Sequence, residues 1–214
     1  MHDLAGRHFC VSFAEPRDVA LAHRIGQSVM LDNGAFTAWT QGREVDWDEW
    51  ALWADEWLAY PTTWAVAPDV IDGSEEDNND LLNRYWAWPK VAPVWHLHES
   101  LGRLMWLRTK YDRICFGSSG AYRTIGTPEW HHRICEAFNA IADNRGRVGW
   151  VHMLRGMSLS GSEYPFASAD STDIARNHHQ PYQNVRAMAD RWDSRQCPPV
   201  WSLREQLRLQ EEPA

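Results

Sequence analysis

Thr63-Trp64-Ala65-Val66-Ala67-Pro68-Asp69 decides the fold class, because its apolar residues run from Trp64 to Pro68 without polar alternation and then end on a carboxylate. A strand solvated on one face alternates polar and apolar residues, whereas a strand buried on both faces does not. Six further runs share this character: His8–Phe13, Ser28–Asp32, Val91–Leu97, Arg113–Gly117, Arg147–Leu154 and Phe166–Asp170. Burial of both faces is the condition of a parallel sheet covered by helices.

The intervening segments carry helical signals. In Val45-Asp46-Trp47-Asp48-Glu49, Asp46 is placed as an N-cap and Glu49 occupies the capping-box position. Trp47, Trp50, Trp53 and Trp57 then recur at helical spacing, and this stripe reads as core rather than as a cofactor site. Thr127-Pro128-Glu129 opens another helix, with proline at its first position and Ile134, Phe138 and Ile141 on one face. Segments 17–25, 75–88 and 99–110 also read as helices. Strand–helix alternation along the chain predicts a single-domain α/β fold over 1–214, a compact or reduced (β/α) TIM-like barrel. A doubly wound open sheet is the alternative, but no glycine-rich dinucleotide loop accompanies it. Residues 197–214, Pro-rich and then charged, are expected to form a mobile C-terminal tail.

Composition narrows the function classes. The net charge of −8 argues against a generic nucleic-acid coat while leaving room for a local basic face. Arg103, Arg108, Lys110 and Arg113 form one cluster and Arg123, His131, His132 and Arg133 another; both read as solvated helix faces. No apolar stretch reaches membrane-spanning length, and Met1–Arg7 lacks the apolar segment of a secretory signal. Four cysteines without a C-x-x-C pair fit neither a zinc knuckle nor a redox motif, and Cys10 and Cys115 read as small core residues. The expected compartment is the cytoplasm.

Polar residues fall at the ends of the strand runs. Val29-Met30-Leu31 leads to Asp32-Asn33-Gly34, and the 63–69 run leads to Asp69 with Asp72 beyond. Val94-Trp95 leads to His96-Leu97-His98, Ile114-Cys115-Phe116 to Gly117-Ser118-Ser119-Gly120, and Phe166-Ala167-Ser168-Ala169 to Asp170-Ser171-Thr172. In a parallel barrel these ends share the face that carries active sites. One aspartate after a strand is ordinarily a helix cap. Three converging on one mouth point to chemistry.

These motifs resemble the tRNA-guanine transglycosylase superfamily, over roughly residues 8–176. Asp32-Asn33-Gly34-Ala35-Phe36 is similar to its Asp-Ser-Gly-Gly-Phe signature, Asp69 to its base-recognising aspartate, and Gly117-Ser118-Ser119-Gly120 to its purine-contacting loop. Ser168-Ala169-Asp170-Ser171-Thr172 resembles the late strand that carries its nucleophile. Two features depart from the tRNA enzymes: the cysteines of their zinc site are missing, and His96 stands where a glutamine usually binds the base. The chain is most similar to the short phage and bacterial 7-deazaguanine DNA transglycosylases.

That resemblance implies an enzyme that exchanges guanine in DNA for a 7-deazaguanine through a covalent glycosyl-aspartate. Asp170 would be the nucleophile and Asp32 the general acid and base. Asp69 would accept hydrogen bonds from the guanine edge, with Asn33, Gly34, His96, Gly117, Ser118, Ser119 and Gly120 lining the base. Trp95 and Tyr122 are candidates to stack on it. The partners implied are DNA, alternatively tRNA, and the free base; no cofactor, metal or membrane is implied. The same scaffold could serve a hydrolytic DNA base glycosylase, or a barrel that binds a base without chemistry. A metal-dependent hydrolase using His96 and His98, with His152 and Asp170, is a further alternative.

Overall fold

A computed structural model describes residues 2–85 and 88–203. In chain order it contains β1 (His8–Ser12), α1 (Val19–Ile25), β2 (Ser28–Asp32), α2 (Ala35–Thr40), α3 (Trp47–Leu58), β3 (Thr63–Val66), α4 (Glu75–Tyr85), β4 (Val91–Ala92) and β5 (Val94–His96). There follow α5 (Leu101–Lys110), β6 (Arg113–Gly117), α6 (Pro128–Ile141), β7 (Trp150–Met153), β8 (Ser168–Ala169), α7 (Asp173–Asn177) and α8 (Val185–Asp193). The fold is α/β. Its strands form two four-stranded sheets, β1-β2-β3-β4 and β5-β6-β7-β8, and every ladder is parallel.

Pro93 accounts for the division between the sheets. Having no N–H, it interrupts the ladder between β4 and β5. The backbone stays extended across it: the Ala92 carbonyl accepts from Ala67 N at 2.8 Å and the Pro93 carbonyl from Cys115 N at 2.8 Å. Val91–His96 therefore borders β3 on one side and β6 on the other. Among the described residues no ladder joins β8 to β1.

Side-chain parity then separates two apolar layers, because successive strand residues point to opposite faces. Val29, Leu31, Ala65, Val91, Trp95, Ile114, Phe116, Val151 and Met153 face outward into the main core, against helix residues such as Trp50, Leu104, Leu107, Ile134 and Phe138. Met30, Trp64, Val66, Ala92, Val94 and Cys115 face inward as a second cluster, with Trp150 and Leu154 packed on it. The Trp64 and Trp150 rings meet edge to face at 5.0 Å, so the curled sheet brings β3 and β7 together across its concave side. Arg113 lies 5.0 Å from the Trp150 centroid and 5.9 Å from that of Trp64, close enough for cation–π attraction.

Several local expectations change. Cys10 shares the inward parity of β1 yet is exposed, since no described strand pairs with that edge; only Cys115 is buried. Arg103 is no solvated face residue: it is 5% exposed and ion-paired to Glu99. Arg133 is likewise drawn inward, donating to the Leu97 carbonyl at 2.8 Å. Within the 197–214 stretch, buried Trp201 donates its indole N–H to Asn139 Oδ1 at 2.7 Å and its amide to the Gly146 carbonyl. Residues 204–214 of that stretch lie outside the described residues.

Candidate active site

At the C-terminal ends of the strands, Asp32, Asn33, Asp69, His96, Gly117, Ser118 and Asp170 line one cavity of about 40 Å³. Phe36, Ile71, Leu154 and Arg155 complete much of its wall. Three residues expected at the base stand beside it instead. Gly34 forms the left-handed turn after β2 at φ 78°, where a Cβ would approach Ala14 N to 3.1 Å. Ser119 is fully buried with its hydroxyl on His98 Nδ1 at 2.7 Å, and Gly120, at φ 53°, packs on the His98 side chain.

Asp170 follows β8 and is held through one oxygen. Oδ1 accepts the Arg155 backbone N–H at 2.7 Å and faces His152 Nε2 at 3.2 Å, while His152 Nδ1 meets the Ser168 hydroxyl at 2.8 Å. Among the described residues no hydrogen bond falls on Oδ2. Arg155 reaches this position with φ 57°, the one left-handed non-glycine among the described residues. Such a conformation is uncommon for a side chain of this size.

Asp32 ends β2, with Oδ2 accepting from the Ser12 hydroxyl at 2.7 Å and from Gly34 N at 3.2 Å. Desolvation outweighs those two bonds and, helped by the nearby charges of Asp170 and Asp69, lifts the carboxyl to about 6. A carboxyl with that value is present in both its acid and its base form around pH 6, as general acid–base work requires.

Asp69 belongs to a buried polar chain. Its Oδ1 accepts from Asn33 Nδ2 at 2.6 Å, and its Oδ2 pairs with His96 Nε2 at 2.8 Å. Burial opposes charge on His96, yet the hydrogen bond to Asp69 and the nearby carboxylate of Glu99 prevail and hold it up at about 9. Asp69 is the closer partner, because His96 Nδ1 stands 3.5 Å from Glu99 Oε1, an ion-pair distance without a hydrogen bond. Glu99 accepts from Arg103 Nη1 at 2.6 Å, from Asn78 Nδ2 at 3.0 Å and from the His96 amide at 2.9 Å. Two anions and two cations thus alternate from the cavity outward. Each Asp69 oxygen keeps a further lone pair, so the carboxylate can still accept from a ligand.

The stacking candidates are reassigned. Trp95 is wholly buried with its indole N–H on the Ser100 carbonyl, and Tyr122 packs against the core beneath Arg133. Phe36 is the ring at the cavity, with the Arg155 guanidinium 3.8 Å from its centroid. The H-x-H pair diverges: His96 serves Asp69, while His98 bonds Ser119 and the Gly73 carbonyl. Among the described residues no three His, Cys, Asp or Glu side chains are grouped to hold a metal. Arg155 and Glu99 carry no sequence signature, since each reads as an ordinary charged loop residue. Phe36 lies within the Asp32–Phe36 motif, where only its place just after the strand end points to the cavity.

No family model, curated protein or solved structure matches this chain.

Proposed function

We propose that the protein is a DNA base-exchanging transglycosylase, replacing guanine with a 7-deazaguanine on a reduced TIM-like barrel formed by the two sheets across the Val91–His96 segment they share. The observation that carries this reading is the convergence of Asp32, Asp69 and Asp170 on one cavity, each in a different environment. Asp170 Oδ2 attacks the sugar C1′ as the glycosidic bond breaks, and the departing guanine takes its proton from Asp32. Asp69, oriented by Asn33 and His96, accepts the ring N–H and exocyclic amine of the base. The incoming deazapurine then gives its proton to Asp32 and attacks C1′, which releases Asp170. Because Arg155 lies across Phe36 and leaves only about 40 Å³, the guanidinium must swing off the ring before a base enters. A base in a duplex is out of reach, so the substrate strand is single or its target nucleotide flipped.

Purified protein is expected to incorporate labelled guanine or 7-deazaguanine into single-stranded DNA, with a protein–DNA adduct visible by mass spectrometry. Asp170→Asn keeps an oxygen for Arg155 N–H and should abolish both signals. Failure of both DNA and tRNA to accept label would falsify base exchange.

A further inference from the structure

We propose that the Phe36–Trp39 face of α2, with Arg155 and Arg123 laid on it, is a two-base stacking track for single-stranded DNA. The assignment of the inner base rests on the base-exchange reading above. Phe36 and Trp39 are three residues apart and so share a helix face, with ring centroids 5.8 Å apart and a 30° tilt. Arg155, from the segment after β7, lies 3.8 Å from the Phe36 centroid. Arg123, from the segment after β6, lies 4.8 Å from that of Trp39. Each ring therefore carries its own cation, Phe36 at the cavity wall and Trp39 at the rim, where it is 38% exposed.

A guanidinium on an aromatic face occupies the place a nucleobase would take, as both are planar groups attracted to the same π-surface. When a base displaces it, the same guanidinium becomes available to a phosphate. The ring spacing exceeds the roughly 3.4 Å rise of stacked bases, so the track suits a strand with splayed bases, one in the cavity and its neighbour on Trp39. Asp72 holds Arg123 in place, its Oδ2 accepting from Nη2 at 2.9 Å. With a net charge of −8, the chain has little general attraction for a polyanion, and local groups of this kind must supply it.

The test is fluorescence anisotropy of a labelled mixed-sequence single-stranded DNA with the full chain and its variants. Trp39→Ala should weaken binding about tenfold or more, with Trp39→Phe restoring most of it. Arg123→Ala should weaken binding and lower the log–log salt slope by about one. Asp72→Ala, which frees Arg123, should tighten binding severalfold. Wild-type affinity in a folded Trp39→Ala overturns the track, and tighter binding of the matching RNA or duplex overturns the DNA assignment. Base exchange read on the same oligonucleotide separates the two ideas. Loss of binding in Trp39→Ala without wild-type exchange leaves the track standing and removes the exchange reading. Exchange with unaltered Trp39→Ala binding does the reverse.

Discussion

Asp32 couples the chemistry to the stability of the chain. Its carboxyl titrates near 3.8 when unfolded and at about 6 when folded, so between those values folding takes up a proton. Stability therefore falls as pH rises through that window and settles above it at a deficit of about 3 kcal/mol. Asp32→Asn removes the deficit: its melting temperature should match wild type near about pH 4 and exceed it at about pH 7.5. The same titration should depress wild-type kcat/KM above about pH 6, as the acid form is lost. Thermal scans and rate profiles on one pH grid check both, and a wild-type stability flat across the window would contradict the assignment. The three aspartates were legible in the sequence because a carboxylate closing an apolar run has a position as well as an identity. Arg155 was not, because its contribution is a backbone amide presented by a left-handed turn, and side-chain chemistry does not announce that.

At the scale of elements, Glu99 is the joint between β5, α4 and α5, through the His96 amide, Asn78 and Arg103. Truncation to alanine leaves the buried Arg103 guanidinium with only the neutral acceptors Asn79 Oδ1 and the Val94 carbonyl, and removing the anion from a buried pair in this way costs about 3–5 kcal/mol. Urea denaturation of Glu99→Ala should show that loss, while Glu99→Gln, whose one carbonyl oxygen can still accept from Arg103 and the His96 amide although its NH2 then faces the Asn78 donor, should lose less. An alanine variant as stable as wild type would show that water reaches the site. The strand runs were legible through burial on both faces, and their cores match β1 to β8. Their ends were not: the 63–69 run pairs only through Val66, and the last run pairs only at Ser168–Ala169. Apolar character persists where the ladder has already stopped. The short α2 was also missed, since Ala35–Thr40 spans too few residues to display a helical period.

For the whole molecule, the decisive arrangement is an outer apolar layer beneath the helices, an inner one on the concave side, and polar residues where the inner layer meets solvent. The ends of the sheet are brought together by side chains rather than by a ladder: Arg7, just before β1, bonds Asp190 and Asp193 of α8. Arg7→Ala should raise amide hydrogen exchange over 185–193 with little change at β2 and β3, and unchanged α8 protection would assign α8 docking to apolar contacts alone. The sequence could not reveal this link, because a pair of charges so far apart in the chain has no local pattern.

That separation, 186 residues between Arg7 and Asp193, bears on how the chain is made. Each ladder joins strands adjacent in sequence, so β-pairing can proceed in the order of synthesis, every new strand docking on the one just released. The Arg7 clasp obeys a different clock. Until the ribosome has extruded α8, Arg7 lacks both of its aspartate partners, and the segment just before β1 is not fastened to that helix. A nascent chain thus carries its N-terminal segment untethered for the longest time, beside a β1 edge that no described strand pairs, and this is where a chaperone, or a neighbouring chain on the same polysome, would meet it.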